Sequence, residues 1–214
     1  MSETKIEDSD RVAHWQRVVH ALAKEKGWHD EPAIPRRFQM LGNVMVEVGE
    51  MWEEARAKDF DPKRIYVRDP GADLPAERVR DWRDGDALKP EGFPIELADV
   101  VIRVLDTAGA LGIEMWDHRI ASVSILEHDN PDLWMQMTRL MREVALLIED
   151  AGPLDMDDEA TVKEVRDDVE GGMAFVLARC EAIAQVASID LWRAVEIKHV
   201  FNRTRSRRHG GKRS

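Results

Sequence analysis

Cysteine is nearly absent: Cys180 is the only one. A single thiol excludes an internal disulfide framework and any zinc site built on several thiolates. Apolar runs are short, and none approaches the roughly 18 residues that a membrane helix needs. The first ten residues, Met1 to Asp10, are acidic and lack the apolar core of a signal peptide. A cytoplasmic protein without a membrane partner is the expectation. Tyrosine is also scarce, with Tyr66 alone, and alternating β-branched runs are few. Little remains from which to build a sheet.

What is present is charge and helical periodicity. The 214 residues carry 31 Lys+Arg against 42 Asp+Glu, a net charge of −11. That balance argues against a nucleic-acid-binding surface over the whole molecule. The charge is uneven. Arg203 to Ser214 hold six basic residues and no acid, so removing them from −11 leaves −17 on the body. A basic tail on an acidic body can bind RNA, pair with the body or grip phosphate, or simply be solvated.

Helices are expected at Arg11 to Gly27, Phe38 to Lys58, Ile95 to Leu111, Glu114 to Leu126, Asp132 to Glu149, Asp158 to Val186 and Leu191 to Thr204. Gly27 and Gly112 close the first and third. Gly171-Gly172 is a candidate break in the sixth. Prolines and glycines crowd residues 59–94, which read as a loop insertion with a short helix at Ala76 to Trp82. There is an internal echo. Glu47 to Ala55 resembles Glu143 to Ala151, and Ala110 to Trp116 resembles Val186 to Trp192. The expected fold is therefore an all-α bundle of two tandem helical units, the second degenerate. The boundaries are 1–126 for the first unit, including the insertion at 59–93, 127–204 for the second and 205–214 for the basic tail, together one compact domain.

The chemistry concentrates on the second and third helices. Glu47 and Glu50 are three apart and share a face, with Glu54 a turn further on. Glu96 and Asp99 repeat the spacing, and Asp106 continues their stripe. Leu97, Ala98, Val100, Val101, Ile102, Val104 and Leu105 make the third helix apolar nearly all round. Such a helix is buried, and inward-facing acids are costly without a cation. Glu47, Glu50, Glu96 and Asp99 would form one oxygen-rich cluster suited to a hard divalent cation, Mg²⁺ above all, with Mn²⁺ as the substitute. Glu53, Glu54 and Arg56 read as surface. On the last helix, Lys198 and Asn202 are four apart and share a face. His14, His20 and His29 read as polar surface or core residues. Trp15, Trp28 and Trp52 are candidates for stacking on a base, although core packing is the commoner role of tryptophan.

These residues carry a resemblance. Glu47-Val-Gly-Glu50 and Glu96-Leu-Ala-Asp99 resemble the paired ExxE and ExxD motifs of MazG-like proteins, in the all-α nucleoside triphosphate pyrophosphohydrolase superfamily. Pro94 to Asp106 looks like that family's third helix. Lys198 to Lys212, with Asn202, Arg205 and the Arg208-His-Gly-Gly-Lys212 run, resembles its closing motif, and Lys26-Gly-Trp-His29 its first turn. The likeness spans residues 11–56, 90–117 and 189–213. Two departures stand out: a long insertion between the acidic motifs, and a second helical stretch before the closing motif, in which Leu146 stands where Glu50 would.

The resemblance implies a Mg²⁺-dependent conversion of a nucleoside triphosphate to its monophosphate and pyrophosphate. Glu47 and Glu50 would be catalytic, one of them activating water. Glu47, Glu50, Glu96 and Asp99 would hold metal. Lys198, Asn202, Arg205, Arg208 and Lys212 would contact phosphate. A homodimer or a monomer is expected. The rival readings are a catalytically inactive binding module of the same fold and an RNA-binding protein acting through the tail.

Overall fold

The computed structural model describes residues 8–31, 33, 36–72, 78–115, 132–152 and 159–207. Six α-helices lie among them: α1 (Asp8–Glu25), α2 (Arg37–Ala55), α3 (Phe93–Leu111), α4 (Leu133–Asp150), α5 (Glu159–Ala187) and α6 (Leu191–Thr204). Three short strands, β1 (Tyr66–Arg68), β2 (Val79–Asp81) and β3 (Pro90–Glu91), separate α2 from α3. The all-α bundle expected from sequence is what forms. Among the described residues, no single helix is long and apolar enough to cross a membrane.

α3 is the axis. Fourteen of its 19 residues are buried, and it packs against α1, α2, α5 and α6. α2 also packs on α4, and α4 on α5. One hydrophobic cluster runs from Val12 in α1 to Ile197 in α6. Its members are the residues whose helical spacing marked the sequence, such as Leu41, Val44, Val48 and Met51 on α2. Pro94 lies in the first turn of α3, where its missing N–H has no helical partner to lose. Asp132 and Asp190 cap α4 and α6, accepting from Met135 N at 2.9 Å and Arg193 N at 3.0 Å.

The two helical pairs, α2–α3 and α4–α5, share a closing turn and an ion pair. Gly112 ends α3 at φ 68°, and Ile113 N donates to Ala108 O at 2.9 Å. Ser188 ends α5 at φ 55°, and Ile189 N donates to Ala184 O at 2.8 Å. These are the positions that the sequence echo aligns. The same alignment sets Arg103 of α3 beside Arg179 of α5. Arg103 Nε donates to Glu47 Oε1 at 2.9 Å, and Arg179 Nη2 donates to Glu143 Oε1 at 2.7 Å. The second pair thus keeps one ion pair of the first. It has Leu146, Gly172 and Phe175 where the first has Glu50, Glu96 and Asp99.

The insertion corrects the reading from sequence. The short helix expected at Ala76 to Trp82 does not form over 79–81; Val79 to Asp81 pair with β1 instead. Tyr66, Val67 and Val79 favour the pleated backbone, and Arg80 clamps Asp86 through both guanidinium nitrogens at 2.9 and 2.7 Å. Residues 73–77 lie outside those described. So does most of the helix expected at Glu114 to Leu126, and residues 113–115 are not helical. α2 stops at Ala55, short of Lys58, and α5 runs unbroken through Gly171-Gly172.

Gly92 joins the sheet to α3. Its φ is +112°, and a Cβ there would collide with the Arg64 carbonyl oxygen. Only glycine tolerates both conditions. Gly92→Ala should cost about 2 kcal/mol, read as a lower midpoint in chemical unfolding.

Candidate active site

A cavity of about 370 Å³ opens between α1, α2, α3 and α6. α2 contributes Asn43, Glu47 and Glu50; α3 contributes Asp99, Arg103 and Asp106; α6 contributes Lys198 and Asn202. Glu96 lies buried beside them, 4% exposed. One carboxylate oxygen from each of Glu47, Glu50 and Glu96 lies within 4.8 Å of the others. The i, i+3 spacing on two packed helices brings them together. Asp99 turns to Lys198, a residue 3% exposed whose ammonium contacts its Oδ2. Four carboxylates thus meet two directly contacting cations, Arg103 and Lys198. With all four ionised, as metal ligation requires, two negative charges remain, the charge of one divalent ion.

Burial shapes the electrostatics. Desolvation lifts the Glu96 carboxyl to about 8 from its ordinary 4.5, although the Lys198 charge pulls it down. Desolvation and the Asp99 charge raise Glu47, against the Arg103 ion pair. For Lys198, burial disfavours the ammonium, but Asp99 and Glu96 outweigh it and hold the proton more firmly than usual. Glu96 Oε2 is buried and has no hydrogen-bond partner. An all-oxygen donor set with an orphaned buried carboxylate oxygen fits Mg²⁺, or Mn²⁺, with no group left over.

The raised Glu96 carboxyl makes both stability and metal binding depend on pH. The folded, metal-free protein keeps this proton up to about pH 8, whereas the unfolded chain releases it near its ordinary 4.5. Between those values the folded state binds more protons, so stability falls as pH rises. Metal ligation needs the ionised carboxylate. Titrating Mg²⁺ near pH 7 should therefore release about one proton, measured by calorimetry in buffers of different ionisation enthalpy. The gain in melting temperature on adding Mg²⁺ should grow from pH 5 to pH 8. Heat independent of the buffer would show that Glu96 is not a ligand.

Of the residues expected to contact phosphate, Lys198, Asn202 and Arg205 all line the cavity. Asn202 Oδ1 is buried without a partner. Lys26 Nζ donates to the carbonyls of Arg203 and Arg205 at 2.8 and 2.7 Å, tying the end of α6 to the end of α1. Arg208, Lys212 and the Gly210-Gly211 pair lie outside the described residues.

Several cavity residues escaped the sequence reading. Arg103 is one, although a guanidinium two turns from Glu96 on an apolar helix was a visible signal. Lys89 is another, brought in by the strand hairpin, which no local pattern announced. Asp106 departs from its expected role. It lines the cavity, but its Oδ1 meets His20 Nδ1 at 3.0 Å and His29 Nε2 at 2.7 Å. The two histidines, read as ordinary polar residues, position that carboxylate. Of the three tryptophans, Trp28 alone lines the cavity, while Trp52 packs on Trp134 with ring centroids 5.3 Å apart and Trp15 on His14 and His199. Cys180 is fully buried, and desolvation holds its thiol protonated.

No family model, curated protein or solved structure matches the chain.

Proposed function

We propose that this protein is a Mg²⁺-dependent nucleoside triphosphate pyrophosphohydrolase, converting an NTP or dNTP to its monophosphate and pyrophosphate. One observation carries the reading: Glu47, Glu50 and Glu96 converge beside a cavity that Lys198, Asn202 and Arg205 also line. A carboxylate cluster with an unpartnered buried oxygen, in a cavity also lined by Lys198, Asn202 and Arg205, suits a polyanion that arrives with a divalent metal. The resemblance of the acidic and closing motifs to MazG-like proteins narrows the polyanion to a nucleoside triphosphate.

Glu47, Glu50, Glu96 and Asp99 would hold the ion. Bound there, Mg²⁺ neutralises phosphate charge and acidifies water. The chain's own residues divide the remaining work. Glu47 Oε1 is committed to Arg103, and the residue is buried. Glu50 is exposed and makes no hydrogen bond among the described residues. Glu50 is therefore the group that orients or deprotonates the attacking water. Lys198 and Arg205 offer charge to the phosphates, and Asn202 offers its amide.

Incubating the protein with a panel of NTPs and dNTPs, and resolving the products by ion-exchange chromatography, tests this reading. Monophosphate should accumulate with Mg²⁺ or Mn²⁺, stop with EDTA and return when the metal is restored. A nucleoside diphosphate product, or turnover indifferent to EDTA, would refute it.

A further inference from the structure

Asp106 lies two helical turns beyond Asp99 on α3, roughly 10 Å along the helix axis. It faces the same cavity as the carboxylate cluster. Its Oδ1 is occupied by both imidazoles, His20 from α1 and His29 from the segment after it. Its Oδ2 makes no hydrogen bond among the described residues. Burial disfavours its charge, but the two histidine contacts outweigh burial and keep it ionised. The result is a fixed carboxylate with one acceptor oxygen to spare. Asn43, on α2, lines the same cavity, and its side chain makes no hydrogen bond among the described residues. Trp28 adds a flat apolar wall.

Resting on the nucleotide reading above, we propose that Asp106 selects the base, so that the cavity prefers a nucleotide bearing an exocyclic amino group to its oxo counterpart. The chemistry is donor against acceptor. The amino group of cytosine or adenine donates to Asp106 Oδ2, and the adjacent ring nitrogen accepts from the Asn43 amide. Uracil and thymine turn a carbonyl oxygen toward the carboxylate. Two acceptors then face each other away from water, and neither is satisfied. Sites built on such pairing reject the mismatched partner strongly. His20 and His29 are positioning residues: they hold Asp106 and need not touch the base.

Cytosine and uracil differ little in shape, so they make a clean pair. The non-hydrolysable α,β-imido analogues of dCTP and dUTP, titrated in Mg²⁺ by calorimetry, isolate binding from turnover. The dCTP analogue should bind at least about tenfold more tightly. Asp106→Asn should shrink the ratio to within about threefold, because a carboxamide can turn either its oxygen or its NH₂ to the base. Circular dichroism checks that the variant folds. The wild-type ratio decides the matter even if it does not. Equal binding of the two analogues by the wild-type protein overturns this inference and leaves the nucleotide reading intact. Binding of neither analogue overturns both. Selective binding without hydrolysis of dCTP overturns only the pyrophosphohydrolase assignment.

Discussion

Glu50→Gln should lower turnover by at least about a hundredfold while leaving the helices intact. Glu50 is exposed on α2, and no packing depends on its charge. The substitution keeps the side chain's size and removes one negative charge from the Glu47–Glu50–Glu96 cluster. It also removes the exposed carboxylate of that cluster, the one proposed to take a proton from water. Both losses fall on the chemical step. The melting temperature without metal should stay level or rise slightly, since repulsion within the acidic cluster is relieved. Steady-state kinetics together with a thermal melt check both parts. A variant that keeps full Mg²⁺-dependent activity would show that Glu50 neither holds metal nor acts as the base.

Lys198→Met should be the most destabilising single change at the site. Lys198 contacts Asp99 while almost wholly buried. Removing the ammonium leaves Asp99 without its cation and takes from Glu96 the charge that most lowers its carboxyl. Breaking one side of a buried pair costs about 3 kcal/mol. That loss should lower the melting temperature by about 6–12 °C in a chain of this length. The loss should be smaller in excess Mg²⁺, whose charge would stand in for part of the missing ammonium. A purely phosphate-contacting lysine would instead raise KM and leave the metal-free melt unchanged. The sequence suggested only that phosphate role. The fold adds a second one, as a counter-ion seated among the acids.

Local pattern made some of this legible and hid the rest. An acid pair at i, i+3 on an otherwise apolar helix can point only into the core, so Glu96 and Asp99 declared themselves. The cap at Asp132 and the glycine end of α3 are rules of one helical turn, read directly from the chain, whereas the Asp190 cap emerged only from the fold. The sheet was hidden because β1, β2 and β3 are two or three residues long and show no run of alternation. Val67 and Pro90 are the buried residues among the described positions of these strands. The Asp106–His20–His29 cluster was hidden for another reason. Its members come from α1, from the segment after it and from α3, and nothing in local spacing couples them. The repeated ion pair, Glu47–Arg103 and Glu143–Arg179, falls between. The echo located the glutamates, and only the fold showed that the arginines answer them.

The most direct test of the central claim is a single assay of the wild-type protein with Mg²⁺ and dCTP, in which pyrophosphate and orthophosphate are quantified separately. One pyrophosphate should appear for each dCMP formed, with no orthophosphate above the enzyme-free control. Orthophosphate released in step with dCDP would place the cleavage at the terminal phosphate and contradict the account.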